Sequence, residues 1–173
     1  DTKVSREMLD DVAPTLTALP TDIKFISKIS KLIKDRYTMY YETNRLDWAM
    51  GELLAYGTLI SEGYDVRFTG QDVQRGTFSH RHAVIKNEET EEEYVPLNNI
   101  KSQNGQMRIY NSHLSEYAVL GFEYGYAMAN PKALTIWEAQ FGDFSNGAQI
   151  MIDQYIAAGE DKWGSQNGIV MLL

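Results

Sequence analysis

Short apolar runs alternate with longer stretches of helical periodicity, and this alternation restricts the fold more than any other feature of the sequence. Tyr64–Thr69, Ala83–Ile85, Met107–Tyr110, Ala133–Trp137 and Gly168–Leu173 read as strands, with Val66 and Phe68 on one face of the first. Leu46–Glu62 reads as a helix, capped near Asn44 or Asp47 and stopped at Gly63. A second helix runs from Glu116 to near Asn130, where Pro131 prevents its return. A third spans Ser145–Gly159, with Ile150, Ile152, Tyr155 and Ile156 expected to be partly buried. Strands alternating with helices of roughly 10 to 17 residues predict an α/β fold, a mostly parallel sheet flanked by helices.

The first residues follow a different pattern. Residues 1–21 read as a short helix and a loop broken by Pro14 and Pro20. Thr21 or Asp22 then caps a helix with an apolar stripe of Ile23, Ile26, Ile29, Ile33 and Tyr37, and the cations of Lys24–Arg36 on its polar face. The predicted organisation is a helical connector over 1–40 followed by one domain over 41–173. A chain of 173 residues buries roughly 70% of its unfolded surface, enough for an independent core.

Charge and composition exclude several function classes. A net charge of −8 lacks the basic stripe of a nucleic-acid surface. No run approaches the roughly 18 apolar residues of a spanning helix, so no membrane is expected as a partner. With no cysteine there are no disulfides, thiolate metal sites or thiol nucleophiles. Glu88, Glu89 and Glu91–Glu93 form an acidic run that reads as a solvated hairpin tip. The final apolar run, Gly168–Leu173, resembles an interior strand and predicts a segment of a longer protein, with the domain truncated at its C-terminal end.

Three segments carry candidate chemistry. In Leu114–Gly125, Ser112 or Ser115 can cap a helix whose first turn holds Glu116, with Tyr117, Leu120 and Tyr124 at helical spacing. Unpaired backbone N–H groups there favour a charged carboxylate, and a helix-capping acid is the simplest reading of Glu116 alone. In Arg75–His82, His80 and His82 would share a face on a strand. They read as metal ligands lacking an evident third, as structural groups, or as imidazoles that bind a substrate carboxylate and move a proton. Arg75 either steers an anion or braces its loop. In Trp137–Phe144, Phe141 and Phe144 follow a strand end, where open α/β sheets build ligand sites; core packing is the alternative for either ring.

Gly76-Thr77-Phe78-Ser79-His80-Arg81-His82, Leu114–Tyr126 and Trp137–Phe144 together closely resemble the thiamine-diphosphate-dependent decarboxylating component of the 2-oxoglutarate dehydrogenase complex. The resemblance runs from about Asn44 to Leu173 and points to that family's pyrimidine-binding domain. It implies that Glu116 hydrogen-bonds the ring nitrogen of the cofactor's aminopyrimidine, that Leu114 is an apolar neighbour, and that Gln140 and one of Phe141 and Phe144 contact the ring, Phe144 by stacking. It further implies a role for His82, and less directly His80, beside the reacting centre. The implied activity is oxidative decarboxylation of 2-oxoglutarate with succinyl transfer to lipoyl groups. Implied partners are 2-oxoglutarate, a homodimer mate and the lipoyl-bearing succinyltransferase component, in bacterial cytoplasm or mitochondrial matrix. Gly70-Gln71-Asp72 and Asn98-Asn99 imitate the family's diphosphate motif, but the triplet departs from Gly-Asp-Gly. Diphosphate and Mg2+ are therefore assigned to a domain absent from this chain, and the chain alone is expected to be inactive. A 2-oxoadipate or other 2-oxo-acid dehydrogenase, or a non-catalytic interaction module, remain as alternatives.

Overall fold

A computed structural model describes residues 2–173; Asp1, within the expected 1–40 connector, lies outside the described residues. In chain order the elements are α1 (Arg6–Thr17), α2 (Ser27–Tyr37), α3 (Trp48–Ser61), β1 (Val66–Gly70), β2 (Ile85–Lys86), β3 (Glu93–Tyr94), β4 (Met107–Asn111), α4 (Glu116–Ala129), β5 (Leu134–Glu138), α5 (Gln149–Met151), α6 (Gly159–Trp163) and β6 (Val170–Leu172). Contacts group them into two units. One joins the residues up to Tyr64 with Ser79–Met107, and the other joins Asp65–Phe78 with Arg108–Leu173.

The second unit is the α/β sheet that the alternation predicts. Its order is β4-β1-β5-β6; β1 runs parallel to β5 from Val66 opposite Leu134 to Gly70 opposite Glu138, and β6 runs parallel to β5. Leu120, Trp137, Ala139 and Ala148 form its buried centre, packed by Val119, Met151, Ile152, Ile156, Ile169 and Met171. Each large side chain buried there stabilises the fold by about 1.5–3 kcal/mol. Position 70, the last of β1, takes glycine because its backbone lies against the neighbouring strand: a Cβ there would stand 2.4 Å from the Glu138 carbonyl oxygen.

The first unit is mainly helical. Ser5 caps α1 by accepting from the Met8 amide, and Asp47 caps α3 by accepting from the Met50 amide. Ile29, Ile33 and Ile85 form one core cluster with Leu19, Phe25 and Tyr94. The antiparallel pair β2–β3 carries the acidic run at its tip.

Several local expectations change. Pro14 lies inside α1 rather than breaking it. α2 begins at Ser27, so Ile23 and Ile26 precede it, and neither Thr21 nor Asp22 is its cap. Arg36 is not on a polar face: it is 1% exposed and donates to the Arg81 carbonyl oxygen at 2.6 Å. Ser145–Gly159 is not one helix but a succession of 3-10, α and π turns, leaving Ile150 and Tyr155 exposed while Ile152 and Ile156 pack inward.

Candidate functional site

Glu116 is the first residue of α4, and its burial is unusual for a carboxylate at a helix start: it is 9% exposed. Ser115 stands at the cap position, but no side chain caps this helix; the Ser112 hydroxyl donates instead to the His113 carbonyl oxygen. Gln71, the residue after β1, donates from Nε2 to Glu116 Oε1. The second oxygen, Oε2, is buried with no hydrogen-bond partner among the described residues. Gly147 lies beside this side chain: a Cβ there would come 3.4 Å from Glu116 Cβ and Cγ. Burial pushes the Glu116 carboxyl above its ordinary value, against the pull of the Gln71 donor. The charged form expected from the helix N-terminus is thus opposed by desolvation, the largest influence on this group.

About two turns further along α4, Glu123 is 1% exposed and bonded on both oxygens. Arg67 grips it with Nε at 2.6 Å and Nη2 at 2.8 Å, and the Thr69 hydroxyl donates at 2.9 Å. The Arg67 guanidinium lies over three rings, Tyr126 at 4.5 Å, Tyr110 at 5.1 Å and Phe122 at 5.4 Å. Sequence reasoning missed this network and Gln71. The available signal was spacing: 67, 69 and 71 alternate along an extended segment, and 116 and 123 share a helix face.

Beyond β5 the chain turns at Phe141, whose φ of 57° is left-handed. The Phe141 and Phe144 ring centres are 6.5 Å apart, and Phe78 meets Phe141 edge-on at 5.8 Å. These rings are 53%, 51% and 74% exposed, so they form an open aromatic surface rather than core. Gln140 is half-buried, and Leu114 is exposed.

In the other unit, His80 and His82 do not lie on a strand. Ser79 and His82 both adopt left-handed φ, 56° and 41°, which turns the loop sharply. His82 is buried, with Nε2 2.9 Å from the Ser79 hydroxyl, which also accepts from Lys28. Between the two histidines, buried Arg81 donates to Glu52 at 2.6 Å, and its carbonyl accepts from Arg36. Burial pushes the Arg36 guanidinium down to about 10.

Arg75 braces its loop by pairing with Asp72. Asn98 exchanges two hydrogen bonds with the Met107 backbone, and Asn99 donates to the Val95 carbonyl oxygen. Among the described residues, no three His, Asp or Glu side chains gather in a metal-binding group. No helix of the described residues is long and apolar enough to cross a membrane.

Comparison with known proteins agrees with this architecture. The chain is 49% identical over 173 residues to the 2-oxoglutarate dehydrogenase E1 component of Haemophilus influenzae, covering all of this chain and 18% of that protein. It is 48% identical to the protein of the same name from Rickettsia felis and 45% to that from Geobacillus kaustophilus, each over 172 residues. The chain therefore spans 18% of the length of these relatives. The transketolase pyrimidine-binding domain matches residues 44–173, and the chain belongs to that family.

Proposed function

We propose that this chain is the pyrimidine-binding part of a 2-oxoglutarate dehydrogenase E1 component, and that Glu116 activates thiamine diphosphate. The observation that carries the reading is the buried Glu116 carboxyl with one oxygen held by Gln71 and the other unpartnered among the described residues. Burial favours the neutral form of this acid over the charged one, and a neutral carboxyl can donate its proton in a hydrogen bond to a ring nitrogen. That is the donor an aminopyrimidine requires. When bound, the cofactor supplies a carbon nucleophile and an electron sink, which no side chain of this chain provides.

The remaining roles follow from the same reading. Phe144 offers its exposed face to the aminopyrimidine, with Phe141 beside it and Gln140 and Leu114 as further contacts. His82, hydrogen-bonded to the Ser79 hydroxyl, binds the substrate carboxylate or transfers a proton, with His80 assisting. Residues 1–40 act as a connector and 41–173 as the pyrimidine-binding domain. Diphosphate and Mg2+ are held by another domain of the longer protein, which works as a homodimer with a lipoyl-bearing succinyltransferase, in bacterial cytoplasm or mitochondrial matrix. The isolated chain is inactive and binds the cofactor weakly, because it lacks those anchors.

Carbon dioxide release from 2-oxoglutarate by the full-length protein, with thiamine diphosphate and Mg2+, tests the proposal. Turnover by the wild type and a loss of about 100- to 10,000-fold in Glu116→Ala is the expected result. Silence of the wild type with 2-oxoglutarate, or undiminished turnover by the variant, overturns it.

A further inference from the structure

Residues 67 and 69 on β1 and residue 71 in the turn that follows it each bond a carboxylate of α4. Arg67 and Thr69 hold Glu123, and Gln71 holds Glu116, seven residues or about two turns earlier. We infer that Gln71 is a positioning residue for Glu116: by donating to Oε1 it reserves Oε2 for the proton that Glu116 presents to its ligand. This rests on the cofactor-activating reading of Glu116.

The argument is one of donors and acceptors. The Gln71 nitrogen only donates, so Oε1 is committed as an acceptor, and the single proton of a neutral carboxyl resides on Oε2. Oε2 is buried and has no protein partner among the described residues. The Arg67–Glu123 pair ties α4, which carries Glu116, to β1. The Glu116 end of the Gln71–Glu116 bond therefore sits on a fastened helix, and Gln71 directly follows β1. Gln71 is also neutral. A carboxylate at position 71 would compete for the proton, and an ammonium would hold Glu116 ionised. An amide directs the proton without either effect.

The test follows the titration of Glu116 in the full-length protein without cofactor, by infrared difference spectroscopy of the carboxyl band, with Glu116→Gln as the blank. Gln71→Met, which keeps length and removes the donor, is expected to move the titration to higher pH. Gln71→Leu, which also removes the donor without adding a charge, is expected to move it in the same direction and decides the question should the methionine variant fail to fold. With cofactor, Gln71→Met lowers kcat roughly 10- to 100-fold, as a misaimed group does, with KM for 2-oxoglutarate nearly unchanged. An unmoved Glu116 titration in the folded variants overturns the inference. Full turnover by Glu116→Gln would sink the cofactor reading instead, and the titration would still decide whether Gln71 sets the carboxyl.

Discussion

Glu116 and Glu123 occupy one face of the same helix, and both are buried, yet the protein treats them in opposite ways. Glu123 is bonded on both oxygens: an Arg67 fork, a Thr69 hydroxyl, and three aromatic rings around its cation. Glu116 has one donor and an unspent oxygen among the described residues. A carboxylate bonded on both oxygens to β1 residues fastens α4 to that strand. A half-satisfied one is costly in the unliganded fold, and that unspent capacity is what a ligand can use. Buried carboxylates are therefore distinguished by what remains unbonded, not by burial.

The comparison breaks most visibly in turnover. Replacing Glu116 by alanine should cost about 100- to 10,000-fold in 2-oxoglutarate decarboxylation by the full-length protein, the span usual for a positioned proton donor, while circular dichroism stays unchanged. Stability should respond the other way. Glu123→Ala leaves the Arg67 guanidinium without its partner, at 16% side-chain exposure, and should lower unfolding free energy by about 3–5 kcal/mol in denaturant titration. Should Glu116→Ala prove the more destabilising of the two, the division of labour collapses.

A double replacement sharpens the point. Arg67→Met with Glu123→Leu removes both charges and keeps bulk, so its loss should be smaller than that of Glu123→Ala alone; a double-mutant cycle in urea measures the difference. The smallest effect concerns pH. Burial raises the folded-state carboxyl of Glu116, so the fold favours its neutral form. Stability from that preference is fully present below the ordinary value of 4.5 and is lost as pH rises through the higher folded value. Glu116→Gln keeps the neutral shape. It should match the wild type in acid and become slightly more stable than it toward neutral pH, read as thermal midpoints across the range. A gain confined to acid would contradict the sign of the shift.

The same contrast marks how much of the molecule was legible beforehand. α4 was visible because Leu120 and Tyr124 repeat at helical spacing and Pro131 bars its continuation. β1 and β5 were visible because Val66, Phe68, Ile136 and Trp137 concentrate apolar bulk in short runs. The 145–159 segment misled: its apolar residues have a helical period, but only some of them find a core to pack against, and the chain there changes helix type. Arg36 misled for the opposite reason, since a cation in a polar stripe proved to be a buried donor to a loop carbonyl 45 residues away.

By itself, the sequence determined the alternation of strands and helices and the presence of an acid in the first turn of α4. Local periodicity and the reach of one helical turn are encoded in neighbours along the chain. Only the tertiary structure decided that Gln71 meets Glu116 and that Arg67 and Thr69 meet Glu123, pairs separated by 45, 56 and 54 residues. It also decided that the acid is desolvated. Burial and hydrogen-bond saturation depend on which elements lie against each other, and no local pattern of residue types records that.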